Sequence, residues 1–430
     1  MLVYSTAITP RLQYVLQFMG MACNGPAWAV TTSAEEAKQH SGTIISYSEV
    51  PVREGTMHIV PEGLLTETGI AAKTIEVKQG EKFPFFFAGA GTYPFDIFSA
   101  IFYLLSRYEE YLPHAKDSYG RFAHEESIAF KEKFLHRPLI NEWLQDFKEQ
   151  LGLQQPIPFT FLPTYDIDIA YSFLHKGVWR NIGAGLLDLI TLKWQQLGVR
   201  VSVLMGKRKD PFDVFGWLHQ LHEQTNIKPY YFFLFAPRRG RYDKNIDPQL
   251  PAMQQLVHDH AIRYPVGIHP SWQSGDEPRL IKTEADMLSK ATGAEVTASR
   301  QHYIRLTLPA TYRHLLAAGI RYDFSMGYGS INGFRASVAL PFYWYDLEAE
   351  KATELMVFPF CYMEANSYFE QKQTAEQGEA EMRKYYETVK QTGGLFVMIW
   401  HNSFLCDTGK WKAWRQVYEA FIKETRQGTA

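Results

Sequence analysis

The sequence predicts an α/β protein, and three observations carry that expectation. From about residue 155 onward, strand-like apolar runs alternate with segments of helical spacing. Those runs are rich in aromatic and branched residues, as strands buried on both faces require. Before about residue 135 the runs are shorter and separated by turn residues, which reads as a mixed α/β unit. Alternating strand and helix argues for a parallel sheet or a barrel covered by helices. The expected division is an N-terminal domain at 1–135, a connecting helix at 136–154 and a larger domain at 155–430.

In the N-terminal unit, apolar runs fall at 12–19, 42–47, 57–60 and 70–77, and a strand is expected at 82–87. Residues 95–111 give its clearest helix, with Ile97, Ala100, Ile101, Leu104 and Leu105 on one face. The end of that helix, Tyr108 to Tyr111, reads as solvated. Residues 135–152 read as the connecting helix, with Trp143, Phe147 and Leu151 at helical spacing. The run 157–163 then reads as a short buried strand. Further helices are expected at 178–197, 213–224, 248–260, 283–292 and 309–318. Further strands are expected at 229–235, 263–268, 320–322, 355–359 and 394–400, with a weaker one at 294–298. The basic clusters 207–209 and 238–241 are short and read as solvated loops.

Composition narrows the function classes. A chain of 430 residues, 46% hydrophobic and 15% aromatic, has ample material for a large core. Its formal net charge of -2 gives no electrostatic footprint for nucleic acid. Cys23, Cys361 and Cys406 form neither a disulfide framework nor a zinc motif by spacing, which suits a reducing compartment or an uncommitted one. Arg11 and Gln13 interrupt the apolar start, so no secretory signal is expected and the location is expected to be cytoplasmic. The most apolar stretch, 85–105, is punctuated by Gly89, Gly91, Pro94 and Asp96. It reads as a core element and not as a membrane span.

Candidate chemistry begins where the run 157–163 stops. Asp166 and Asp168 follow it, and in an extended chain residues i and i+2 point to the same side. Two carboxylates held that close are unfavourable unless a proton or cation sits between them. The alternative is a helix N-cap or turn, where Asp is common. Three histidines, His269, His302 and His401, fall at or just after expected strand ends. Chemistry collects at the C-terminal ends of strands in α/β architectures. A lone His there is commonly a hydrogen-bonded structural residue. Three of them with an acidic pair match the donor types of a divalent metal site that keeps a position open for water.

The order of these motifs resembles the polysaccharide deacetylase family, carbohydrate esterase family 4, over roughly residues 155–405. Thr164 to Asp168 is similar to that family's first motif, in which one acid is the base and the other binds metal. That resemblance implies Asp166 as base and Asp168 as ligand. Tyr230 to Phe233 resembles the aromatic strand that follows, and His269, Pro270 and Ser271 resemble the second motif. Arg300, Gln301, His302 and Tyr303 resemble the third motif, Asp323 stands at the acid of the fourth, and His401 fits the closing His. Phe358 to Phe360 with Glu364 resembles the late strand and acid. Gly333 to Ala336, Pro341 to Trp344 and the helix 104–110 resemble a divergent bacterial branch with an uncharacterised N-terminal domain. The fold implied is a distorted (β/α) barrel with a separate N-terminal mixed α/β domain.

Departures from the family pattern shape the site that is expected. Gln273 stands where a second His of the second motif is usual, and His302 stands where Pro is usual. His302 is therefore expected to move in as third ligand beside Asp168 and His269. The acids are spaced by one residue, so the base and ligand roles can also be exchanged. The resemblance implies a metal-dependent hydrolase that removes acetyl from an N-acetylated (or O-acetylated) sugar or polysaccharide. The metal expected is zinc, with cobalt, nickel or manganese as substitutes. Arg300 would pair with Asp166, Asp323 would orient Arg300, and His401 would protonate the leaving group. Trp272, Tyr303 and Trp400 are candidates for stacking on sugar faces. Two alternatives are a non-catalytic saccharide-binding protein with the same fold and a hydrolase of another non-peptide C–N bond.

Overall fold

In the computed structural model, residues 1–23, 25 and 27–425 are described, so 426–430 of the expected larger domain lie outside the described residues. The chain opens with β1 (Leu2–Ser5), β2 (Ala29–Thr31), β3 (Ile44–Tyr47) and β4 (Met57–Ile59). They form a parallel sheet in the order β2-β1-β3-β4. The apolar run 12–19 lies on helix Pro10–Ala22, which crosses from β1 to β2 as a parallel pair requires. Thr9 caps that helix by accepting from the Leu12 N–H, and Pro10 occupies the first turn, where no donor is needed. The expected strand at 82–87 shrinks to β6 (Pro84–Phe85), hairpinned with β5 (Lys78–Gln79). The run 70–77 joins no sheet: Ile70, Ile75 and Val77 pack on the core, but no strand edge among the described residues takes their backbone.

The helix expected at 95–111 ends earlier. Helix Ile97–Leu105 is capped by Asp96 and buried along its whole length. Arg107 then turns left-handed at φ 53, and Tyr108–Tyr111 forms a 3-10 turn. That turn is not solvated. Glu110 is buried, accepts from Arg107 Nε at 2.8 Å, and forms a two-pronged pair with Arg335 at 2.9 and 2.6 Å. A charge leaves water only when it is paired this well. The pair joins the two halves of the chain, and one apolar core carries residues of both, from Val3 to Ile422.

The second sheet holds β7 (Phe159–Ile167), β8 (Tyr230–Leu234), β9 (Val266–His269), β10 (Ala298–Ser299) and β11 (Tyr322–Asp323). It is completed by β12 (Phe342–Asp346), β13 (Lys351–Val357), β14 (Tyr362–Met363) and β15 (Gly394–His401). The order is β12-β13-β11-β10-β9-β8-β7-β15-β14, parallel except for the antiparallel pair β12–β13. Among the described residues the edge strands β12 and β14 do not pair with each other, so the hydrogen bonding forms an open row. Register brings the site together. Asp166 lies opposite His401 on β15, Leu234 opposite His269 on β9, and Ile268 opposite Ser299 on β10. The C-terminal ends of β7, β9, β10 and β15 therefore share one rim.

Three features depart from the expected elements. The helix expected at 178–197 is two helices, Val178–Ile190 and Trp194–Leu204, broken where Leu192 adopts φ 54. Helices Ala375–Thr392 and Trp411–Thr425 were not anticipated. Strand β12, a motif in the sequence, enters the sheet as an antiparallel edge.

Candidate metal and catalytic site

Asp166, the penultimate residue of β7, is a buried carboxylate. Its Oδ1 accepts from Arg300 Nη1 at 2.7 Å. Arg300 is itself fully buried, and its guanidinium lies 4.4 Å from the centre of the Phe232 ring. Its Nε donates to the Phe324 carbonyl at 3.0 Å. Asp323 makes no hydrogen bond to Arg300 and favours its charge only through space. Its oxygens accept from the Ser299 and Ser325 hydroxyls and the Ser325 N–H, so it braces β10 against β11 from outside the cavity.

Asp168 lies one step beyond β7, and three imidazoles converge on it. His269 Nδ1 lies 2.6 Å from the Arg300 carbonyl, which can only accept, so that nitrogen carries the proton. His269 Nε2 faces Asp168 Oδ1 at 3.2 Å. His302 Nδ1 lies 3.0 Å from Asp243 Oδ1, which fixes the same tautomer. Its Nε2 faces Asp168 Oδ2 at 3.5 Å. His401 Nδ1 and its backbone N–H both donate to Glu364 Oε1 at 2.7 Å, and its Nε2 lies 3.6 Å from Asp168 Oδ2.

Electrostatics follow from these contacts. Burial alone would push both His302 and His401 down. For His302 the carboxylates of Asp168 and Asp243 outweigh it and raise the imidazole to about 9. For His401, Glu364 and Asp168 do the same and raise it to about 10. Asp168 goes the other way. Burial would raise it, but His302 and His401 hold it well below the ordinary carboxylate value. Without a metal, protons on these imidazoles supply the positive charge that the carboxylates demand.

Asp168, His269 and His302 also fit a divalent cation. One donor atom from each lies within 4.8 Å of the others. Bonds of about 2.1 Å at tetrahedral angles separate donor atoms by about 3.4 Å, close to the 3.2 and 3.5 Å spacings between Asp168 and the two imidazoles. Asp168 Oδ1 is buried and has no hydrogen-bond donor, as an oxygen reserved for a cation would be. Each imidazole also donates its other N–H to a fixed acceptor, the usual outer support of a metal-binding His. Gln273 points elsewhere, with its amide nitrogen 3.3 Å from the Arg238 carbonyl.

The cavity over these groups measures about 460 Å³, within the range of about 300–1,000 Å³ common for small-ligand sites. Asp166, Asp168, His269, His302 and His401 line its floor, and Tyr303, Phe404 and Trp411 its walls. Tyr119 and Arg121 reach it from the N-terminal half. Arg121 donates to the Tyr303 carbonyl at 2.7 Å and so holds the left-handed turn, φ 57 at Tyr303, that carries His302 inward.

Two aromatic candidates lie outside the cavity. Trp400 is fully buried. On a strand it must face away from His401, and it packs on Tyr418 and Trp414. Trp272 is covered by Tyr242 at 4.1 Å on one side and by Arg305, also within 4.1 Å of its ring centre. Sequence reasoning missed Asp243, Tyr119, Arg121, Phe404 and Trp411. No spacing links the first three to the motifs, and they come from loops.

Comparison with known proteins gives a family of unknown function, DUF7033, matching residues 1–156. No curated protein matches the chain. Among solved structures, an assigned polysaccharide deacetylase from Mycobacterium smegmatis is similar at TM-score 0.41 and 13% identity, covering 64% of this chain and 85% of its own. A polysaccharide deacetylase from Bacillus cereus gives TM-score 0.32 and 10% identity, covering 62% and 88%. An assigned one from Pseudomonas aeruginosa gives 0.35 and 16%, covering 49% and 65%.

Proposed function

We propose that this protein is a metal-dependent hydrolase that removes an acetyl group from an N-acetylated (or O-acetylated) sugar or polysaccharide. One observation carries the reading. Two imidazoles, each fixed at Nδ1 by an outer acceptor, direct Nε2 at the same carboxylate, whose Oδ1 has no hydrogen-bond partner. Asp168, His269 and His302 would hold the cation, and this mixed nitrogen and oxygen set suits zinc. When bound, such an ion polarises a carbonyl and lowers the pKa of water.

The chain's own groups supply the rest. Asp166 pairs with Arg300 through Oδ1, which leaves Oδ2 to take a proton from the attacking water. His401, protonated and held by Glu364, gives a proton from Nε2 to the departing amine or alkoxide. The acetyl C–N or C–O bond breaks, and acetate and the free amine or alcohol leave. Tyr303, Phe404 and Trp411 offer apolar walls to a sugar ring.

The same reading treats the second sheet as a distorted (β/α) barrel that is open between β14 and β12, spanning 155–430. The segment 136–154, whose helix runs Leu139–Gln150, then connects it to a domain at 1–135. Metal analysis of purified protein with acetate release from a panel of acetylated sugars tests the function. Bound metal and acetate release from one sugar are expected. Metal-loaded protein that binds saccharide without releasing acetate would instead make it a binding protein.

A further inference from the structure

We propose that the helical hairpin spanning 172–210 docks the protein on an anionic lipid bilayer surface. The hairpin is built inside out. The buried residues of its first helix, Val178–Ile190, are Asn181 and Asp188, and those of its second, Trp194–Leu204, are Arg200 and Val203. Arg200 donates to Asp188 and to Asn181 and so latches the helices together with polar groups. The apolar side chains face outward: Trp179 is 85% exposed, Ile190 76%, Leu192 70% and Trp194 59%. Soluble chains rarely leave so continuous an apolar surface uncovered.

Charge decides which partner fits. Arg180, Lys193, Lys207 and Arg208 are exposed on and beside the hairpin, and Lys209 lies 3.6 Å from Asp213. Asp188 is the one acid between residues 172 and 209, and it is buried against Arg200. The surface is therefore apolar and cationic on a chain whose net charge is -2. Exposed Trp with Lys and Arg at the edges of an apolar face is the pattern of an interfacial helix on anionic lipid. A second copy would bring like charges together. The first helix has 13 residues and runs about 20 Å, short of the roughly 30 Å needed to cross a bilayer. No helix of the described residues is long and apolar enough to cross a membrane.

The hairpin is tied to the rim of the cavity. Asp210 accepts from the backbone N–H groups of Ser172, Phe173 and Leu174 at 2.8, 2.8 and 3.0 Å, closing its neck. Asn402, next to His401, donates to the carbonyls of Ile169 and Phe212 at its two roots, both at 3.0 Å. Ile169 and Phe212 also line the cavity. Docking through the hairpin holds the cavity beside the lipid surface, where a sugar carried on a lipid would meet it.

Co-sedimentation of the full chain with phosphatidylcholine vesicles, with and without phosphatidylglycerol, tests this. Binding to the mixed vesicles is expected, and weaker binding to phosphatidylcholine alone. Trp179→Ser with Trp194→Ser, and separately Arg180→Glu with Lys193→Glu, should each lower the partition coefficient by at least about tenfold. All four side chains are exposed, so an unchanged thermal transition should show that the variants fold. Parent protein that stays in the supernatant with mixed vesicles overturns the proposal. So does a parent dimer that the Trp179→Ser, Trp194→Ser variant converts to monomer, because a second copy would then cover the face.

Discussion

Replacing Asp243 tests how the metal site is held without touching a proposed ligand. Asp243 Oδ1 accepts from His302 Nδ1 at 3.0 Å and from the Trp272 N–H at 2.8 Å, in a buried setting. Asp243→Asn can keep an oxygen at that position and lose only the charge. A hydrogen bond to a charged group contributes about 1.5–3 kcal/mol, against about 0.5–1.5 kcal/mol for a neutral one. The difference, about 1–1.5 kcal/mol, corresponds to roughly a tenfold loss of zinc affinity. Asp243→Ala frees the imidazole altogether and should approach the hundredfold end of the range of about 10–100 known for outer partners of ligating histidines. Competition against a chromophoric chelator measures both. His302→Ala should lose at least about tenfold in the same assay, and Gln273→Ala should match the parent. Protons compete for the same His302 nitrogen, so affinity should climb as pH rises toward about 9. An Asp243→Ala protein that folds normally and binds zinc as tightly as the parent would refute the reasoning, because His302 would then need no orientation.

Asp166→Asn should lower acetate release by about 10²–10⁴-fold while leaving zinc affinity within about threefold, since the base is not a ligand in this account. Parallel losses of both would exchange the roles of Asp166 and Asp168. Trp411→Ala should raise KM for a sugar substrate, whereas Trp272→Ala should leave KM unchanged, because Trp411 lines the cavity and Trp272 is covered. Glu110→Ala strands Arg335 in the core, leaves Arg107 only its pair with Glu109, and should lower unfolding free energy by about 3–5 kcal/mol in urea titration. Glu110 also predicts acid sensitivity. Burial would raise it, but Arg335 and Arg107 hold it at about 2, below its ordinary 4.5. A carboxylate depressed in the folded state contributes stability above its unfolded value and loses it as pH falls through the folded one. The gap, at about 1.4 kcal/mol per pH unit, amounts to about 3 kcal/mol lost between roughly pH 4.5 and 2. A urea midpoint in Glu110→Gln with the parent's acid dependence would assign that loss to other carboxylates.

Much of the parallel architecture was legible because strand and helix leave different periods. β7, β9 and β15 carry apolar residues that give way to site residues at their ends, so Asp166, His269 and His401 could be placed at strand ends from spacing. The two C-terminal helices were equally legible and went unread. Met382, Tyr385, Tyr386 and Val389 repeat at helical spacing, as do Trp414, Tyr418, Phe421, Ile422 and Thr425. Other features left no local signal. The left-handed residues Arg107 and Leu192 break helices whose propensities would continue them, and tertiary contacts decide such points. Asp243 reaches His302 across 59 positions from a loop, so only the folded chain brings them together. Trp400 shows the cost of reading a neighbour without its strand: alternation turned it into the core when His401 turned to the cavity.

Anomalous scattering at the zinc edge from zinc-soaked crystals tests the central claim most directly. One strong peak is expected about 2.0–2.2 Å from Asp168, His269 Nε2 and His302 Nε2, with Gln273 uninvolved. A peak coordinated without His302, or no peak among these three residues in protein whose fold is intact, would contradict it.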